Sequence, residues 1–123
     1  MRRFLWIGLA VWFAATLALR LAGQFVFRGG GSLRLAILFG VTAVVIAVFL
    51  YRVVRSLPSR DAGLRAAVLI VVPGLLLDAG SVLWFRAVFP NLPDSAGMLF
   101  ASLLLWAYGI ALLTAVWPRE ASR

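Results

Sequence analysis

Asp78 stands inside an otherwise apolar run, Leu75-Leu76-Leu77 before it and Val82-Leu83-Trp84 shortly after. An ionised carboxylate placed in hydrocarbon costs roughly 3 kcal/mol or more unless it is paired, hydrated or protonated, so a partner is expected. Thr16, Arg20 and Gln24 recur every four residues, which stacks them on one face of a helix. Counted along the helix axes, Arg20 falls about 5 Å nearer the outer surface than Asp78, within reach of a long side chain. The expected arrangement is an intramembrane Arg20–Asp78 ion pair supported by Gln24 and Ser81, with Arg86 as the alternative partner. Such a pair fixes helix register, and where the carboxylate is accessible it can carry a proton or hold a substrate. Pro73-Gly74 precedes Asp78 by one turn; proline cannot donate to the Leu69 carbonyl, which predicts a kink there.

The remaining side chains exclude much other chemistry. The chain contains no Cys and no His, which removes thiol redox pairs, iron–sulfur sites and imidazole ligands for haem, zinc or copper. The carboxylates Asp61, Asp78, Asp94 and Glu120 are too scattered to suggest a metal cage. No enzyme activity, metal or cofactor is therefore expected.

Positioning Asp78 and the Thr16 stripe requires elements that cross a bilayer. Hydrophobic residues make up 64% of the 123 and charged ones 13%, a balance that neither a single soluble core nor a disordered chain accommodates. About 20 apolar residues span the hydrocarbon layer, and four such runs occur, at approximately residues 4–22, 35–54, 66–86 and 97–117. They lack the period-two alternation of barrel strands. The expected fold is all-α, one transmembrane domain over residues 1–123 built as a four-helix bundle with short loops. Gly29-Gly30-Gly31-Ser32 breaks the chain between the first two spans, a polar loop runs over residues 55–65, and Pro118 closes the fourth span. An outer turn, Pro90-Asn91-Leu92-Pro93, leads to Asp94 or Ser95 as the cap of the last helix. Reading the first span as a cleaved signal peptide is disfavoured, because Arg20 sits where a small-residue cleavage motif belongs and no soluble domain follows.

The net charge of +8 comes entirely from arginine. These residues flank the apolar runs and form no stripe interleaved with aromatics, so nucleic acid is not the expected partner. Arg2, Arg3, Arg52, Arg55, Arg60, Arg65, Arg119 and Arg123 fall on one side; Arg20, Arg28, Arg34 and Arg86 fall on the other. The positive-inside rule then puts both termini in the cytoplasm, with Tyr51 and Trp117 at the inner interface and Trp84 at the outer one.

Two ridges of small residues suggest how the spans associate. Ala10, Ala14, Ala18 and Ala22 line the first span, and Ala107, Ala111 and Ala115 the fourth. Small-residue ridges let helix backbones approach closely in lipid. The expectation is that these two spans pack on each other, or that the ridges form a dimer contact.

The chain resembles a family of small bacterial membrane proteins catalogued as domain of unknown function 5367. The resemblance is carried by Ala15-Thr16-Leu17-Ala18-Leu19-Arg20-Leu21-Ala22-Gly23-Gln24, by Pro73-Gly74-Leu75-Leu76-Leu77-Asp78, by Val88-Phe89-Pro90-Asn91-Leu92 and by Leu105-Trp106-Ala107-Tyr108. It implies a four-helix protein of the bacterial inner membrane and assigns no activity. Three roles follow as expectations. The first is an accessory membrane protein acting by binding or self-association, with membrane lipids, a second copy or a larger membrane protein as partner. The second is a small dimeric transporter using Asp78. The third is a lipid- or quinone-binding protein, with Arg20, Arg28 and Arg34 near the headgroups and Trp12, Trp84 and Trp106 as apolar contacts.

Overall fold

Local chemistry sets where each helix begins and ends. The computed structural model of the chain describes residues 1–26 and 31–117. Arg28, Gly29-Gly30, Pro118, Arg119, Glu120 and Arg123 lie outside the described residues. Within them run α1 (Arg2–Val26), α2 (Ser32–Arg55), α3 (Arg60–Leu83), the single turn α4 (Phe85–Val88) and α5 (Ala96–Val116), with no strand among the described residues. The protein is all-helical, and α1, α2, α3 and α5 are each long and apolar enough to cross a membrane.

α3 starts earlier than hydropathy suggests. Ser59 is extended, and its hydroxyl accepts the Ala62 N–H at 3.1 Å. Asp61 in the first turn complements the positive end of the helix dipole. Residues 60–65, expected in the polar loop, therefore form the first turns of α3. The helix also stops short of residue 86, because Trp84 leaves the helical region at φ −107°, ψ 41°. Arg86 consequently belongs to α4. Phe85 and Phe89 of that segment fold back with Leu92 onto Ala96 and Phe100 of α5, and the Phe89 and Phe100 rings meet edge-on at 4.9 Å. The expected side-chain cap of the last helix does not form. Ser95 makes no cap bond, and Asp94 is turned to Arg86. Backbone turns take over, with the Ala96 and Gly97 N–H groups donating to the Pro93 and Asp94 carbonyls.

α3 is the hub of the packing. It packs on α1, α2 and α5, and α5 packs in addition on α2. α1 has no extended interface with α2 or α5 among the described residues. The alanine ridges therefore do not meet within the chain: Ala10, Ala14 and Ala18 are exposed on α1. Ala111 and Ala115 are buried with Leu50, Val54, Ala67 and Val71, and Ala107 is half-buried. The reason lies in a smaller residue. α1 turns Gly8 onto α3 so closely that a Cβ there would lie 2.4 Å from the Ile70 carbonyl oxygen. Backbone-to-backbone approach of this kind maximises dispersion contact in lipid, and glycine permits more of it than alanine. Phe4 packs on Ala66 and Ile70 one turn below, and Gly23, toward the other end of α1, meets Leu92 of the turn before α5. Trp6, Phe13, Leu21, Leu76, Leu83 and Leu105 are all exposed, an outer surface suited to lipid tails and not to water.

Candidate functional site

The buried face of α3 carries Gly74, Asp78 and Ser81. Asp78 is only 8% exposed, and both of its oxygens are engaged. Oδ1 accepts the Trp12 indole N–H at 2.8 Å, and Oδ2 accepts the Tyr108 hydroxyl. The logic is reciprocal. An indole N–H or a phenol deep in an apolar bundle needs an acceptor, and a buried carboxylate needs donors. Trp12 arrives one turn after Gly8 on the α1 face held against α3, and Tyr108 arrives from α5. Gly74 makes room for it: a Cβ at that position would lie 2.6 Å from the Tyr108 hydroxyl oxygen. α3 continues as one helix through Pro73, so the contribution of the Pro73-Gly74 pair visible at the site is the clearance at Gly74.

This arrangement corrects the expected ion pair. Arg20 is exposed, and Asp78 takes its hydrogen bonds from α1 and α5 aromatics. The physical cause is depth and helical drift: Asp78 lies level with Trp12, which puts Arg20 two turns, about 12 Å, farther along α1 and about 80° round the helix. Arg86, the alternative partner, pairs with Asp94 at 2.6 Å with both side chains well exposed, a contact worth about 0–1 kcal/mol. Ser81 donates to the Leu77 carbonyl of its own helix at 3.1 Å and does not support Asp78. Gln24 serves the outer turn: it accepts from Asn91 Nδ2 at 2.7 Å and donates to the Leu21 carbonyl at 3.0 Å. Asn91 Nδ2 also reaches the Leu19 carbonyl at 3.1 Å, so this one amide ties the turn to α1 between the exposed Pro90 and Pro93. Of the Thr16 stripe, only Thr16 itself reaches the surroundings of Asp78.

A cavity of about 360 Å³ opens beside the carboxylate, walled by α1, α2, α3 and α5. Its lining is apolar, with Val11, Leu38, Ile46, Phe100 and Leu104 among the contributors. The polar exceptions are Trp12, Thr16, Thr42, Tyr108 and Asp78, and among the described residues Asp78 is the only charged one in the lining. Its size falls in the range that holds small organic ligands, and one convergent polar cluster in an apolar wall is the usual composition of such a site. A larger groove of about 760 Å³ lies between α2 and α5, with Arg52 its only charged residue. Among the described residues no cluster of three or more Asp and Glu side chains gathers that could hold a metal ion.

Trp12 and Tyr108 were not foreseen as partners of Asp78. Their depth is the signal that points to them. Both lie near the middle of their helices, away from the interfaces where tryptophan and tyrosine normally concentrate, and the same span depth holds Asp78. Trp106 obeys the same rule with a backbone acceptor, its indole donating to the Phe39 carbonyl of α2 at 3.0 Å.

The fold and site thus define an all-helical protein with four helices long and apolar enough to span a membrane and a carboxylate enclosed among them. The chain belongs to the family of unknown function DUF5367, which matches it over residues 26–122. Asp78, Tyr108 and the outer turn fall inside the matched region, whereas Trp12 and the segment around Arg20 precede it. No curated protein matches the chain, and no solved structure does.

Proposed function

We propose that the protein is a multi-pass protein of the bacterial cytoplasmic membrane, with both termini cytoplasmic, that acts by binding a lipophilic molecule in the cavity beside Asp78. The observation that carries this reading is the cavity's make-up, an apolar wall around the buried Asp78 and its two aromatic donors. The absence of an extended α1–α2 interface among the described residues supplies a lateral way in from the bilayer. Native mass spectrometry from mild detergent tests it. The expected spectrum carries one lipophilic adduct per chain, and Ala107→Phe, which places a ring into the cavity from α5, removes the adduct while helix content is retained. A wild-type spectrum without any adduct overturns the reading.

Self-association is a second reading, favoured by the exposure of Ala10, Ala14 and Ala18 on α1, where no helix of the same chain covers them. The same spectra read it as a dimer that Ala14→Leu weakens, and a strictly monomeric wild type would dismiss it.

The orientation rests on the arginine bias and has its own test. The chain has no Cys, so single-cysteine variants label cleanly. Ser95→Cys is expected to react with a membrane-impermeant maleimide in intact spheroplasts, and Ser56→Cys only after permeabilisation. The opposite pattern would invert the topology.

A further inference from the structure

The chemistry of the cavity wall goes further than its apolarity, and rests on the cavity being a binding site as proposed above. Among the described residues Asp78 is the one charged group lining it. Its two hydrogen bonds come from neutral donors, the Trp12 indole and the Tyr108 hydroxyl. Among the described residues no arginine forms an ion pair with it; the cation expected to do so, Arg20, is exposed. Neutral donors spread the negative charge of a carboxylate but do not cancel it. A carboxylate also offers about four acceptor positions, and only two are taken. The unused acceptor capacity belongs to a residue that lines the cavity, beside the aromatic rings of Trp12, Tyr108 and Phe100. Aromatic faces attract cations electrostatically, more strongly where water is excluded. A ligand head that only accepts hydrogen bonds, such as a carboxylate or a quinone carbonyl, would meet an acceptor in Asp78, with only the Thr16 and Thr42 hydroxyls to set against its lost hydration.

We infer that the molecule this cavity selects is a lipophilic cation, an ammonium head bonded to Asp78 with an apolar body along the α1, α2 and α5 walls. The probes are dodecylammonium, dodecanol and dodecanoate, which share a chain and differ in head, titrated against the full-length protein in phosphatidylcholine nanodiscs. Dodecylammonium is expected to bind about tenfold or more tightly than dodecanol, as close charge pairs in desolvated sites commonly discriminate, and dodecanoate most weakly. Asp78→Asn is expected to abolish the preference for the ammonium head, and Asp78→Glu to keep the order of the heads. Equal affinity of the wild type for dodecylammonium and dodecanol would overturn the inference while leaving the cavity reading intact. Failure of every probe to bind would overturn the cavity reading itself, and this inference with it.

Discussion

Gly8→Ala is expected to destabilise the folded bundle by about 2 kcal/mol, although alanine is the better helix former. Two effects of opposite sign decide the outcome. Helix propensity favours the variant by about 1 kcal/mol. Against this, the new Cβ would stand 2.4 Å from the Ile70 carbonyl oxygen and 2.9 Å from the Ile70 Cα. Those atoms are backbone of a continuous helix and cannot swing aside, so α1 must move off α3 along its length, an overpacking cost of about 3 kcal/mol. Because α3 is the helix α1 packs on, the displacement also draws Trp12 away from Asp78. Gly40→Ala is the matched control: nothing lies within 4 Å of a Cβ at that position, and the variant should be neutral or slightly more stable. Reversible unfolding in mixed micelles measures both. Equal stability of Gly8→Ala and wild type would show that the close α1–α3 approach is not what holds the first helix.

The membrane-length helices were legible in composition and run length, because lipid leaves the backbone little alternative to a helix and apolar side chains little reason to alternate. The facing of each helix was not. For α1, two four-residue stripes were in play: the alanine ridge through Ala14, expected to pack on the fourth span, and the polar stripe of Thr16, Arg20 and Gln24. Counting small residues favours alanine, but closest approach favours glycine, and the face that meets α3 carries Gly8 and Trp12, on the N-terminal continuation of the Thr16 stripe. Depth explains the larger miss. With Gly8 against Ile70, Trp12 is level with Asp78 and Arg20 lies about 12 Å farther along α1, so the expected ion pair gives way to two aromatic hydrogen bonds. Asp78 was recognisable as the central residue because a carboxylate is conspicuous in an apolar run. Its partners were hidden because tryptophan and tyrosine read as apolar bulk unless each buried N–H and O–H is asked for its acceptor. The ends of α3 were missed for a different reason. The Ser59 cap and the Trp84 break are single-residue backbone events, which hydropathy averaged over a span does not register.

Asp78→Ala is expected to destabilise the assembled helices by about 2–3 kcal/mol, since it leaves two half-buried donors in apolar surroundings without an acceptor. Relief of carboxylate burial does not offset this loss. In a membrane the separated helices remain inserted, so Asp78 sits in an apolar medium before packing as well as after, and its burial cost is largely common to both states. What packing adds is the pair of bonds from Trp12 and Tyr108; intramembrane hydrogen bonds contribute about 0.6–2 kcal/mol each. The triple variant Asp78→Leu, Trp12→Phe, Tyr108→Phe removes donors and acceptor together and should recover most of the lost stability, because no polar group is then stranded. Gly74→Ala approaches the same cluster from another side: its methyl group would displace the Tyr108 hydroxyl, breaking one bond and leaving the other. Its loss should therefore fall below that of Asp78→Ala. A thermodynamic cycle over these variants separates a hydrogen-bonded cluster from a merely tolerated acid. If Asp78→Ala proves as stable as wild type, the cluster does not hold the bundle together.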